Sequence, residues 1–285
     1  MHFYPHGFEL LAAEIPLAGA IAKALLRGLA AGALVSPSCM SDRYVFYRVP
    51  ELLQSYLDHT APAEDAQLPY QRADFKRYFP NAKISAVVAG DVYAVANLAK
   101  GGVIRAYNRR TGALILSDCG LIGRCADGST VTSQWVTDRY DFSVNETGWE
   151  VSGPLQQVQS TKLFSPSKLV VFRLALITLG WSPRFSHFLK RRIRATLIRD
   201  SESVSLVFHR RFSLTDSTVT VRDEIKGDAK LESLWVGGDF FVRYVPQSQF
   251  FQPQELDTST ERFSSEQLAA LHSGQTISRT VQVTL

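Results

Sequence analysis

The alternation of apolar and polar positions is most regular between Ile84 and Val136. Short runs rich in Val, Ile, Leu and Tyr are separated there by turn sequences, at a spacing of about ten residues. Each turn sequence contains a glycine, at Gly90, Gly101, Gly112 and Gly128. This pattern predicts an antiparallel meander, in which consecutive strands pair through tight turns.

Strand patterns continue at 140–158 and again at 203–285. The runs VSLVFHRRFSL and STVTVRDEIKG flank Thr215-Asp216 and predict a hairpin. Between the strand regions, 165–198 predicts one or two inserted helices, and a serine-capped helix is predicted at Ser264–His272. The fold class is therefore mainly β, a large antiparallel β-sandwich of stacked sheets with few helices.

Three regions follow from this pattern. They are a helical segment at 1–61, a linker at 62–83, and a β-sandwich domain at 84–285 with the helical insertion near 165–198. In the first region Pro16 suits the opening turn of one helix, and Ser41 or Asp42 can cap a second helix. Pro50 predicts a kink or a break in that second helix.

Composition narrows the functional classes. The chain has 285 residues, is 45% hydrophobic and carries a net charge of +4, which is too small to indicate nucleic acid, so no such partner is predicted. Its three Cys and six His are scattered without ligand spacing. No disulfide framework, metal or other cofactor is predicted.

The stretch 15–35 is the one candidate membrane or targeting segment. Lys23 and Arg27 lie in its middle, where each charge would cost about 2.5–3.5 kcal/mol in a bilayer, and no basic residue precedes it as in a signal peptide. The sequence does not decide the cellular compartment. A fragment of a longer protein would belong to the periplasm or cell envelope, and a complete chain to the cytoplasm.

Two neighbouring motifs carry candidate binding chemistry. Asn97, Lys100 and Arg105 surround the Gly101-Gly102 turn, and their cations can hold a carboxylate or sulfate. The alternative is a tight hairpin with glycine at positive φ. Further on, Gln134 and Trp135 offer an amide and an aromatic face that suit a sugar. Their alternative is a β-strand with a buried tryptophan.

Tyr44 and Tyr47 are the candidate catalytic residues. Each lies beside an arginine, and a tyrosine in such a position can abstract a proton, as β-elimination of a uronic acid requires. The alternative is that both are core residues of a helix. The basic segment 184–199 supplies a different candidate, peripheral contact with a membrane surface.

The order of elements and several motifs resemble the C-terminal part of heparinase II/III-like proteins. These motifs are DFKRYFPNAKI, YAVANLAKGGVIRAYN, SDCGLIG, VTSQW and FHRRFSLTDSTVTVRDEIKG. The resemblance covers about Asp42 to the C-terminus. It implies an α/α toroid followed by a stacked β-sandwich, and lyase activity on bacterial uronic-acid polysaccharides.

The chain departs from that family in one large respect. Only two or three helices are predicted before the sheet, so most of the toroid is missing, and no catalytic residue is carried over from the family. The resemblance therefore implies a protein that binds or cleaves an acidic polysaccharide, with an N-terminal helical domain absent. The alternatives are a non-catalytic carbohydrate-binding or assembly module and a membrane-surface protein using 168–199.

Overall fold

The computed structural model describes residues 5–34, 42–60, 65–145, 148–158, 202–237 and 261–285, with isolated positions between 170 and 188. Within these ranges the protein is mainly β, as predicted, with two antiparallel sheets and few helices. The helices predicted at 165–198 and the basic segment 184–199 lie outside the described residues, apart from those isolated positions.

The helices with described bounds are α1 (His6–Leu11), α2 (Pro16–Ala30), α3 (Asp42–Leu57) and α4 (Ser265–His272). The first three pack on one another, and α2 begins at Pro16 as predicted. α3 continues through Pro50 as one helix, so the alternative of two shorter pieces was wrong. Among the described residues no helix has both the length and the apolar character needed to cross a bilayer.

The first sheet contains five strands in sequence order: β1 (Lys76–Phe79), β2 (Ile84–Ala89), β3 (Val92–Asn97), β4 (Val103–Asn108) and β5 (Leu114–Asp118). The predicted turn glycines take positive φ, with 52° at Gly90, 65° at Gly101 and 72° at Gly112. Only glycine adopts this conformation without strain, so the turns fix the meander.

β1 lies inside the stretch predicted as a linker, which is therefore only partly irregular. Its Tyr78 packs against the core, with its ring 5.9 Å from that of Phe142. The strand has only four residues and is followed by Pro80, which is tolerated because β1 pairs on one side only. So short a run next to Pro80 has no clear period of two, which explains why this strand was not predicted.

Among the described residues the second sheet contains nine strands: β6 (Leu121–Cys125), β7 (Thr130–Thr132), β8 (Asp141–Val144), β9 (Gly148–Val158), β10 (Glu202–Leu214), β11 (Thr218–Gly227), β12 (Leu231–Val236), β13 (Glu261–Arg262) and β14 (Ile277–Thr284). Their order is β13-β12-β6-β7-β9-β10-β11-β14, with β8 also paired to β9. The predicted hairpin at Thr215-Asp216 is confirmed as β10–β11.

The predicted meander does not stay in one sheet. After Asp118 the chain crosses from the five-stranded to the nine-stranded sheet through Gly120, which has φ of 93° and donates its N–H to Asp118 Oδ1 at 2.9 Å. A side chain at Gly120 would contact Ser133 Oγ at 2.6 Å. Strand periodicity does not say which sheet a strand joins, so this crossing was missed.

The core lies between the two sheets. Ala94 and Ile104 face it from the five-stranded sheet, and Trp149, Phe208 and Phe212 face it from the other. The nine-stranded sheet curls so far that its two end strands, β13 and β14, approach each other. We call the gap between these strands the seam.

Candidate functional site

The Asn97–Gly102 loop is held by its own residues. Leu98–Lys100 forms a single 3-10 turn, and the Asn97 side chain accepts a hydrogen bond from the Lys100 N–H at 3.1 Å. Gly101 and Gly102 then reverse the chain at positive φ. The tight-turn interpretation of this motif is thus confirmed, while ligand binding there stays a prediction.

This loop packs on a second loop, 133–138. A Cβ built at Gly101 would lie only 2.0 Å from the Ser133 carbonyl oxygen, so the two backbones touch. The Thr137 N–H donates to the Ala99 carbonyl at 3.4 Å. We call residues 97–102 and 133–138 together the loop surface. The fold therefore joins the two motifs that the sequence singled out separately.

The predicted ligands differ in their access to solvent. Lys100 is half-buried, Trp135 is half-buried in a loop rather than in a strand, and Val136 beside it is exposed. Gln134 is buried against the turn at Gly120, so its side chain supports the loop instead of presenting an amide to solvent.

Arg105 lies on the outer face of the five-stranded sheet, opposite Val95. Asn97 is on the same face, opposite Val103, which places Asn97 diagonally across from Arg105. Diagonal neighbours on antiparallel strands are separated by about 7–8 Å, within reach of a long side chain. Asn97, Lys100 and Arg105 thus lie on or beside one end of this sheet, and the loop that carries Gln134 and Trp135 packs against that end. Arg105 is at the border of the loop surface.

Tyr44 and Tyr47 are on α3, and their side chains lie outside the described part of the structure. Their proposed role in proton abstraction stays a prediction. Elsewhere on α1 and α3, Arg48 donates to Glu51 at 2.6 Å, and His59 Nδ1 lies 2.9 Å from Glu9 Oε2.

A buried group of charges lies behind this end of the sandwich and was not predicted. Arg210, Asp223 and Arg279 are in direct register across β10, β11 and β14 and all face the core. Asp118 joins them from the end of β5, in the opposite sheet. We call these four residues the charged row.

Each arginine in the charged row is hydrogen-bonded to both aspartates. Arg210 donates to Asp223 through Nε at 2.5 Å and Nη2 at 2.9 Å, and to Asp118 through Nη1 at 2.7 Å. Arg279 Nη1 donates to Asp118 at 3.2 Å and to Asp223 at 3.0 Å. Because a buried charge is tolerated only when paired, the geometry explains why four ionised groups persist in an apolar core.

Ionisation in the charged row follows from these contacts. Burial alone would raise the pKa of Asp118, but the charges of Arg210 and Arg279 and the Gly120 N–H outweigh it and hold that pKa below its ordinary value. Burial disfavours the charged form of Arg210 as well, yet Asp118 and Asp223 keep its pKa above the ordinary value. Asp118 and Arg210 are therefore both charged at neutral pH.

A signal for the charged row was present in the sequence. Arg210 lies between Phe208 and Phe212 with a period of two, and Asp223 lies between Val221 and Ile225 in the same way. A charge at an inward position of a strand needs an opposite charge on a neighbouring strand. The strand pairing identifies that partner, and the pattern alone does not.

Among the described residues no cluster of three or more His, Cys, Asp and Glu side chains has the arrangement of a metal site. Within the described part of the chain, Cys119 and Cys125 form no disulfide, and the first is buried and the second half-buried. What the geometry offers a ligand is the loop surface, where Lys100 and the half-buried Trp135 lie, with Arg105 at its border. No protein-family model and no curated protein matches this chain.

Proposed function

We propose that this protein binds an acidic polysaccharide at the loop surface and is related to the polysaccharide lyases that its motifs resemble. The observation that carries the proposal is the direct contact between the 97–102 and 133–138 loops. This contact gathers a lysine and a tryptophan from separate motifs at one end of the five-stranded sheet.

The chemistry of the loop surface suits such a polymer. Lys100 and the neighbouring Arg105 can neutralise carboxylates on successive sugars, and the half-buried Trp135 can stack on the apolar face of a ring. Lys83 supports the arrangement, because its carbonyl accepts from the Leu98 N–H at 2.8 Å and its Nζ lies 2.7 Å from Asp138. Its ammonium is also 5.9 Å from the Phe142 ring.

The proposal has two forms, binding alone and binding followed by cleavage, and cleavage makes the larger claim. In this reaction Tyr44 or Tyr47 removes the proton at C5 of a uronate, while Lys100 or Arg105 neutralises the carboxylate. The electron pair from C5 forms the C4–C5 double bond, the C4–O4 bond breaks, and the departing sugar oxygen takes up a proton from water. Ultraviolet absorbance of the unsaturated product detects this reaction. A signal lost in Tyr44→Phe or Tyr47→Phe would support elimination, whereas binding without any product would support the non-catalytic module.

The binding form is tested by titrating the full chain with a panel of uronic-acid polysaccharides and with neutral dextran. Lys100→Ala is expected to weaken binding about fivefold, since loss of one exposed ion pair costs up to about 1 kcal/mol. Trp135→Ala should weaken it further. The effect of Lys100→Ala should shrink as the salt concentration is raised, because exposed charges are screened.

Lys226→Ala is the matched control, because Lys226 is an exposed lysine on β11 of the other sheet. This control should bind like the unchanged protein. Equal weakening in Lys226→Ala and Lys100→Ala would show that binding follows net charge alone, and would contradict a specific loop surface. Absence of binding to every acidic polymer would reject the proposal.

A further inference from the structure

The seam contains a cavity of about 130 Å³. Glu261, Arg262 and Phe263 line it from one side and Arg279 from the other, with Gln267 of α4 between them. The cavity exists because the nine-stranded sheet brings β13 and β14 together without pairing them. It lies on different strands from the loop surface, so it is a separate site.

Arg279 has hydrogen-bonding capacity left over at this cavity. Its Nε donates to Glu261 at 2.6 Å, and its Nη1 donates to the two aspartates of the charged row. Among the described residues its Nη2 has no partner, although the side chain is only 10% exposed. A guanidinium carries five N–H donors. The two N–H groups of Arg279 Nη2 therefore remain able to donate hydrogen bonds to a ligand oxygen.

The other lining groups determine the kind of ligand. Arg262 is exposed and adds a second positive charge, and a carboxylate can accept from both arginines. Glu261 is an acceptor that a hydroxyl group on the same ligand can satisfy. Gln267 already bonds the Ser264 N–H and the Ser278 carbonyl, so it shapes the wall rather than binding.

Size sets the remaining limit. A cavity of about 150 Å³ in another protein holds one benzene molecule, which has six heavy atoms. The seam cavity of about 130 Å³ therefore holds the carboxylate and the neighbouring hydroxylated carbon of one molecule, and no longer segment. We propose that the seam cavity binds a single small hydroxylated carboxylate, the chemistry of one sugar-acid unit. Arg279 Nη2 and Arg262 bind its carboxylate, and Glu261 accepts from a hydroxyl group.

The test is an NMR titration of the full chain with glucuronate, glucose and sulfate. Glucuronate should bind, shifting signals of Gln267 and Arg279, and glucose, which lacks the carboxylate, should bind at least tenfold more weakly. Sulfate tests for a general anion site. Sulfate binding as tight as glucuronate, or equal binding of glucose, would overturn the proposed ligand class.

Arg262→Gln is the decisive variant, because Arg262 is exposed and its replacement leaves the charged row intact. It should weaken glucuronate at least fivefold. Arg222→Gln is the matched control, since Arg222 is an exposed arginine on β11 that pairs with Glu224 at 3.0 Å. Unchanged affinity in Arg262→Gln would overturn the proposal. These variants do not alter the loop surface. A negative result at the seam cavity would therefore leave the proposed polysaccharide binding unaffected, and a negative result at the loop surface would leave the seam proposal unaffected.

Discussion

Arg210 is the residue on which the interior of the sandwich depends. It is completely buried, and its guanidinium bonds Asp223 at two points and Asp118 at a third. An arginine does not give up its charge in a protein, so this side chain must remain paired wherever it lies. Its two carboxylate partners depend on it in turn, because Asp118 and Asp223 are both buried.

Replacing Arg210 with methionine should therefore destabilise the fold strongly. The change keeps much of the side-chain volume but leaves two aspartates with only Arg279 as counter-charge. Removing one partner from a buried ion pair costs about 3–5 kcal/mol. Urea unfolding at neutral pH, followed by circular dichroism, measures this loss.

The next residue provides the control. Arg211 points to the opposite face of β10, where it is about half exposed and bonds Glu150 at 2.7 Å. Arg211→Met should cost no more than about 1 kcal/mol, the usual value for an exposed pair. Similar losses in the two variants would contradict the special role given to the charged row.

Among the elements, the Asn97–Gly102 loop joins β3 to β4 and rests directly on the 133–138 loop. Its shape is set by backbone contacts more than by side chains. Gly101 has φ of 65° and leaves no space for a Cβ, since the Ser133 carbonyl oxygen would be 2.0 Å away. The contact between the two loops therefore requires glycine at position 101.

Gly101→Ala should displace the two loops from each other. Alanine at this φ costs about 1–2 kcal/mol by itself, and moving the Ser133 backbone adds about 1–3 kcal/mol. Gly112→Ala is the control, because Gly112 has φ of 72° but open space around it. Thermal unfolding of both variants measures the difference, and equal losses would refute the close contact.

Local features of the elements could be predicted from sequence, and distant pairing could not. Gly101 signals a turn by its conformation, and Ser264 signals the start of α4, where it caps the Gln267 N–H at 3.2 Å. By contrast, Asp118 and Arg210 are 92 residues apart, and nothing local to either identifies the other. For the same reason the sequence separated the Lys100 and Trp135 motifs that the fold joins.

At the scale of the whole molecule, Asp118 connects the two sheets. It ends the five-stranded sheet, bonds Arg210 and Arg279 of the nine-stranded sheet, and accepts the Gly120 N–H at the crossing between them. The two sheets therefore share an ion-pair network in addition to apolar contacts. Stability of the sandwich becomes linked to the charge of one carboxylate.

Stability should consequently fall in acid. The pKa of Asp118 is lower in the folded protein than the value of about 3.9 expected for an unfolded chain. Its contribution is fully present above that unfolded value and is lost as the pH falls from there through the folded pKa. Urea unfolding across the range from neutral to about pH 3 should show this decline.

Asp118→Asn removes the titrating group while keeping its shape. The variant should be less stable at neutral pH, and its stability should change less between neutral and acid pH. Asp138→Asn, at an exposed carboxylate that pairs with Lys83, should retain the acid dependence. If Asp118→Asn kept the full loss of stability in acid, other carboxylates would be responsible for that loss.

The distance along the chain between Asp118 and its partners bears on the order of folding. Arg279 is 161 residues away from Asp118, whereas the β2–β5 and β10–β11 hairpins close over short loops. Local pairings form first, so the Asp118 carboxylate stays hydrated until the two sheets have packed together. Interactions made after the rate-limiting step slow unfolding without speeding folding. The buried charges would then act mainly on the lifetime of the folded protein, and little on how quickly it forms.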